Sequence, residues 1–196
     1  PYFIPGGYIT PRGIAIEHFL SSMSSVTPDE MKKLQGNYFN VLAEDERPLL
    51  LKYVNENGLN ADAKKYLDIA RKWNLQADPG SKGQTVHQAW WDSLNVEIWF
   101  DDINSSTPAS PWPEEQTTLE LLKRDSTSLA YIDNINTTAN ETLSDIVTAA
   151  LNKASVNLLE KEREGKLEWG NFKNPTIYHL LKDALMPFAR TGLNMG

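Results

Sequence analysis

The chain has 196 residues, 40% of them hydrophobic and 23% charged, with 19 basic against 26 acidic side chains and a formal charge of −7. That composition belongs to a folded globular chain long enough for a real core, and its acidic balance argues against general binding to nucleic acid or anionic membranes. The lack of cysteine excludes disulfides, thiolate nucleophiles and cysteine metal sites, and no apolar run approaches the ~18 to 20 residues that cross a bilayer.

Residues 1–9 form an apolar, turn-punctuated strip without helical period, and residues 191–196 are loop-like after a helical stretch. Both ends suggest an interior piece of a larger protein; an independent domain with frayed tails is the alternative. Apolar surface at the termini is accordingly expected to be exposed on the isolated piece.

Between the ends the sequence reads as helices. Over residues 13–23, Ile14, Ile16, Phe19, Leu20 and Met23 recur at helical spacing. Thr27-Pro28-Asp29-Glu30 is a capping box with proline at the first helical position, the strongest local signal in the chain. Its stripe runs through Met31, Leu34, Tyr38 and Val41 to Leu42, with Gly36 a weak point. Pro48 predicts the start of a third helix, through Leu49, Leu50, Leu51, Tyr53 and Val54 to a stop at Gly58.

Asn60 predicts the cap of a fourth, with Ala63, Tyr66, Leu67, Ile69, Ala70 and Trp73 inward. Residues 85–103 carry Val86, Ala89, Trp90, Trp91, Leu94, Val96, Ile98, Trp99 and Phe100, apolar around most of the circumference, which indicates a central buried helix. The Ser/Pro-rich run 104–113 is the candidate boundary between a first section, 1–103, and a second, 114–196. Leu119, Leu121 and Leu122 mark a short helix. A long one follows over 141–164, capped by Asn140 or Thr138, with Leu143, Ile146, Val147, Ala150, Leu151, Val156 and Leu158 inward and a solvated charged end at 160–164. Trp169-Gly170-Asn171-Phe172 reads as a loop, and Pro175 as the start of a last helix. The fold class is mainly α, an irregular helical array without internal repeats.

The sequence contains no serine elbow, phosphate loop, dinucleotide fingerprint, zinc pair or calcium-hand loop. His18, His87 and His179 are far apart and read as structural. Asp101 and Asp102 are adjacent on a helix and do not face each other. Trp90, Trp91 and Trp99 read as core, although a Trp-lined ligand groove is the corresponding binding reading. The three Asn-x-Ser/Thr matches are too loose to use. Arg12, just after Pro11 between the extended strip and the first helix, is the one candidate active-site residue: a guanidinium fixed there can orient carboxylates or polarised carbonyls, while a surface arginine is the plainer reading.

The order Pro1-Tyr2, a Gly/aromatic segment, Arg12-Gly13-Ile14-Ala15-Ile16-Glu17-His18-Phe19-Leu20, Thr27-Pro28-Asp29-Glu30-Met31 and Leu34-Gln35-Gly36-Asn37 resembles the penicillin amidase (penicillin acylase) family. The similarity continues through Tyr66-Leu67, Lys72-Trp73-Asn74 and Ala89-Trp90-Trp91, and more weakly to Trp169-Gly170-Asn171 and Pro187-Phe188-Ala189-Arg190. No single motif is diagnostic; their order and spacing together are fairly specific.

The resemblance implies an N-terminal nucleophile hydrolase, matured by self-cleavage, in which the serine opening the larger chain attacks an amide with its own α-amino group as base. An asparagine side chain and a backbone N–H hold the oxyanion. It implies that this chain is an interior helical section inserted into or surrounding an αββα sandwich, with nucleophile and oxyanion asparagine both before Pro1, so that alone it lacks activity. Arg12 falls on the family arginine that organises the region near that asparagine. A second family arginine is replaced by Ala15, and residues 1–11 lack the aspartate that binds calcium in some relatives, so no metal and no cofactor are expected. The implied partners are the catalytic sandwich, the smaller chain and a small-molecule N-acyl amide of the β-lactam or acyl homoserine lactone class. The implied location is periplasmic or extracellular. A stand-alone helical binding module and a purely structural domain are the alternatives.

Overall fold

A computed structural model describes residues 10–103, 111–124, 130–174 and 181. Among the described residues the chain is mainly α, with eight α-helices and no strand. They are α1 (Pro11–Leu20), α2 (Pro28–Gln35), α3 (Ala43–Tyr53), α4 (Ala61–Lys72), α5 (Lys82–Ile103), α6 (Glu115–Arg124), α7 (Leu143–Arg163) and α8 (Trp169–Lys173). Short 3-10 turns occupy Glu56–Gly58 and Ala130–Ile132. The expected final helix from Pro175 and the breaker residues 104–110 lie outside the described residues.

α5 is the axis of the core. Val86, Trp90, Trp91, Leu94 and Ile98 are sealed from solvent along it, and α7 and α4 pack against it and each other. Each such large side chain contributes about 1.5–3 kcal/mol by leaving water, so this seam is where most of the stabilisation resides. The indoles are also placed by polar contacts: Trp90 Nε1 donates to Val147 O at 2.9 Å, and Trp99 Nε1 to Thr118 Oγ1 at 3.1 Å. The core cluster joins residues from both sides of the 104–113 run, Leu67 and Trp91 with Leu122 and Leu151 among them.

α4 is bound to α7 at both ends. Asn152 accepts from Asn60 N and donates to Gly58 O, each at 2.9 Å, while Tyr66 OH donates to Glu162 Oε2 at 2.9 Å and Lys65 pairs with the same carboxylate. The charged end of α7, expected to be merely solvated, thus supplies an anchor. α8 docks on the loop before α5, Trp169 N donating to Ser81 O and Gly170 N to Pro79 O.

Several expectations are corrected. α2 stops at Gln35 because Gly36 caps it, so Tyr38, Val41 and Leu42 continue no helical stripe; instead Phe39 forms an isolated antiparallel bridge with Gln76. α3 begins at Ala43, whose N–H is taken by Asn40 Oδ1 at 3.2 Å, and Pro48 lies inside it. A helix-interior proline removes one i→i−4 bond, here the one to Glu44 O. The cap of α7 is Thr142, in a capping box with Asp145, rather than Asn140 or Thr138. Val96, Phe100 and Val156 face solvent, the last 70% exposed, because each sits opposite the buried face of its helix. Residues 169–173 are helical rather than a loop.

Candidate functional site

α1 and α2 stand apart from this core. Both helices are well capped: Thr10 accepts from Gly13 N, and Thr27 and Glu30 complete the reciprocal box expected from the sequence. Neither helix buries a residue, and the extensive helix–helix contacts all lie among α3 to α8. Capping rather than packing fixes their ends, as a short helix in water requires.

Their facing apolar sides enclose a groove of about 490 Å³, lined chiefly by Ala15, Ile16, Phe19, Met31, Leu34 and Phe39. An aromatic trio closes one side: the His18 ring stacks on Phe39 at 5.5 Å, and Phe19 meets both rings edge-on. His18 Nδ1 lies 3.8 Å from Glu44, tying the trio toward α3. The pair of helices joins the body through the strap 38–40, where Ala77 N donates to Tyr38 O at 2.7 Å and Asn40 N to Leu75 O at 2.9 Å.

Arg12 lines this groove. It occupies the first turn of α1, is exposed, and forms no ion pair among the described residues. The first turn of α1 has no acidic residue, so the guanidinium and the unpaired amides of the helix N-terminus present the same positive sign. An apolar trough with a planar five-donor cation at its edge is suited to orienting a carbonyl or carboxylate brought by another segment or a ligand. Ala15 gives the groove a small apolar side chain.

The other sequence candidates fall elsewhere. Trp90, Trp91 and Trp99 are buried in the core, and most of the Ser/Pro-rich run beside them lies outside the described residues. Asp101 turns inward and accepts from Ile135 N at 2.9 Å, holding the segment before α7. His179 lies outside the described residues. No group of three metal-ligating side chains is assembled among the described residues, and no helix there is long and apolar enough to cross a membrane.

One constellation was missed. His87, on α5, places Nε2 2.8 Å from Glu46 Oε2, on α3, with both side chains fully buried. Glu115, the first residue of α6, brings a second carboxyl against Glu46. Burial raises Glu46 to about 8 and Glu115 to about 7, the latter also through the neighbouring Glu46 charge. Burial lowers His87 to about 4. Near neutrality the imidazole is therefore uncharged and Glu46 is protonated, a neutral pair that avoids burying two ions. Trp73 covers the imidazole, with ring centres 5.2 Å apart. Glu46 and His87 are sealed inside the core and Glu115 is half-buried at its margin, all three separate from the groove that holds Arg12.

No curated protein and no solved structure matches the chain. A family model does, over residues 3–196, and its description is penicillin amidase.

Proposed function

The chain belongs to the penicillin amidase family, and on that premise we propose that it is a helical section of the larger chain of an N-terminal nucleophile hydrolase. In this reading the whole enzyme cleaves the amide of an N-acylated small molecule, of the β-lactam or acyl homoserine lactone class. The observation that carries it is the family match over residues 3–196.

The chemistry is divided. A serine elsewhere in the polypeptide attacks the amide carbonyl while its α-amino group takes the hydroxyl proton, and an asparagine and a backbone N–H receive the developing oxyanion. Arg12 is a positioning residue: its donors, unpaired within the described residues, hold the carbonyl side of the oxyanion asparagine or its loop. The catalytic sandwich and smaller chain cover the α1–α2 groove, and the assembled enzyme acts in the periplasm or outside the cell. Alone, this section does not turn over.

The test compares hydrolysis of a panel of chromogenic N-acyl amides by this chain and by the product of the uninterrupted gene. Activity is expected only in the full product. There Arg12→Ala should lower kcat about 10-fold or more with KM less affected, as for a group acting on transition-state geometry, and Arg12→Lys should recover only part. Turnover by the chain alone refutes the division of labour, and inactivity of both across the panel refutes the hydrolase reading.

A further inference from the structure

The Glu46–His87–Glu115 cluster has no part in the amidase reading, and its position suggests a role of its own. It lies where three helices meet: Glu46 on α3, His87 on α5, and Glu115 at the very start of α6. Two carboxyls packed together, one sealed and one half-buried, cannot both ionise cheaply, because like charges there repel and hydration is largely withheld.

We propose that Glu46, His87 and Glu115 act as a proton-operated latch fastening α6 to α3 and α5, closed while Glu46 retains its proton and loosened when both carboxyls are ionised.

The geometry provides both states. When closed, Glu46 donates its proton to His87 Nε2 across 2.8 Å, and Glu115 packs against the same carboxyl. Loss of that proton to solvent removes the donor, leaves an imidazole whose Nε2 must turn from acceptor to donor, and sets two carboxylates against each other. Of the three groups Glu115 is the least enclosed, so its helix is the one that gives.

The surrounding charges do not cancel this. α3 supplies Asp45 and Arg47, and α5 supplies Asp92; the two aspartates reinforce the repulsion, while Arg47 opposes protonation of His87 and is itself held on Trp73 O. From α4 the neighbour is Trp73 at its C-cap, and the buried residues of α4 and α7 are apolar or carry only hydroxyls. α6 is also tied to α5 by Trp99 Nε1 donating to Thr118 Oγ1 at 3.1 Å, and to α3 by Lys123 pairing with Asp45 at 2.8 Å; the second pairing raises the lysine further, so it stays charged throughout. It serves as an internal control.

The experiment is amide hydrogen exchange read by mass spectrometry from pH 6 to 9, expressed as protection factors for the α6 and α7 peptides of the purified protein. In the wild type, α6 protection should fall about tenfold or more between pH 6 and 9, the size expected when one proton is released on opening, with α7 little changed. Glu115→Gln, which keeps a donor toward Glu46 at every pH, should flatten the α6 profile. Lys123→Ala should lower α6 protection at all pH values without changing its slope. An α6 profile that is flat in the wild type, that falls equally in Glu115→Gln, or that is shared by α7 overturns the latch. The wild-type profile alone decides even if a variant fails to fold, and none of these readouts depends on the amidase assignment.

Discussion

The indole of Trp73 occupies the space that a side chain at Gly83 would need. A Cβ built there would stand 2.3 Å from the ring, inside any tolerable contact. Trp73 is held on both flanks, its Nε1 donating to Gln76 O at 2.8 Å and its ring lying against His87, so it cannot swing aside. The missing side chain at residue 83 thus lets the end of α4 approach the start of α5.

Gly83→Ala is therefore expected to destabilise by about 1–3 kcal/mol through overpacking, outweighing the ~1 kcal/mol that alanine gains over glycine within a helix. Gly36→Ala is the control, since the nearest atom to its Cβ is 3.8 Å away and its φ of −93° suits any residue. Urea unfolding should show a lower midpoint for the first variant and nearly none of that change for the second.

The two capping boxes should respond differently although their chemistry is the same. Losing either threonine costs about 1 kcal/mol of helix stability. α7 is part of the core, so Thr142→Ala should lower the global unfolding midpoint; α2 buries nothing, so Thr27→Ala should speed amide exchange within α2 and leave that midpoint unchanged. Denaturation and peptide-level exchange on the same variants check both statements.

Stability should decline from mildly acidic toward alkaline pH. Glu46 and Glu115 bind protons more tightly when folded, so their contribution is complete below the ordinary carboxyl range and is lost as pH rises through about 7 and about 8. His87, lowered to about 4, acts in the opposite sense: its contribution is present above the ordinary imidazole range and is lost as pH falls through about 4. Each uncompensated proton is worth about 1.4 kcal/mol per pH unit. Melting followed by circular dichroism from pH 5 to 8.5 should show Tm falling most steeply from about 6.5 to 8. Glu46→Gln, which keeps a donor for His87 and cannot ionise, should reduce that slope.

The groove between α1 and α2 should bind an environment-sensitive apolar dye. Ile16 and Leu20 are exposed on its wall, and nothing among the described residues covers it. Dye fluorescence with the purified chain should drop at least about twofold in Leu34→Glu, whose unfolding midpoint should stay at the wild-type value, because the groove lies outside the cooperative core. An unchanged fluorescence would place the dye elsewhere.

What could be read from the sequence was what is decided locally. Thr27 and Glu30 are three residues apart and make their box from the side chains written there; Asn60 caps α4 in the same way. The apolar girth of residues 85–103 announced the buried axis. Pro48 misled because proline marks a helix start only when its neighbours agree, and the acidic run Glu44-Asp45-Glu46 ahead of it, favourable in a first turn, was the better marker. Val156 carried the right chemistry on the wrong side: counting at 3.6 residues from Leu151, Ala154 and Leu158 turns it outward. The contact between Glu46 and His87 spans 41 positions and has no local signature. A glutamate amid the apolar stripe of α3 was the nearest available hint. Arg12 was placed from its neighbours in sequence, and the structure sets it on the rim of the groove.

The separation of α1 and α2 from the core has a consequence for how such a chain can change over evolutionary time. Residues on the two helices are held by caps and by the short strap 38–40, so exchanging Ile16, Met31 or Leu34 for other side chains carries little penalty for the fold as a whole. The same exchange at Trp90 or Leu151 would be purged. Variation is thereby channelled to the groove, and related sequences can acquire new surfaces around Arg12 while inheriting an unaltered helical frame beneath it.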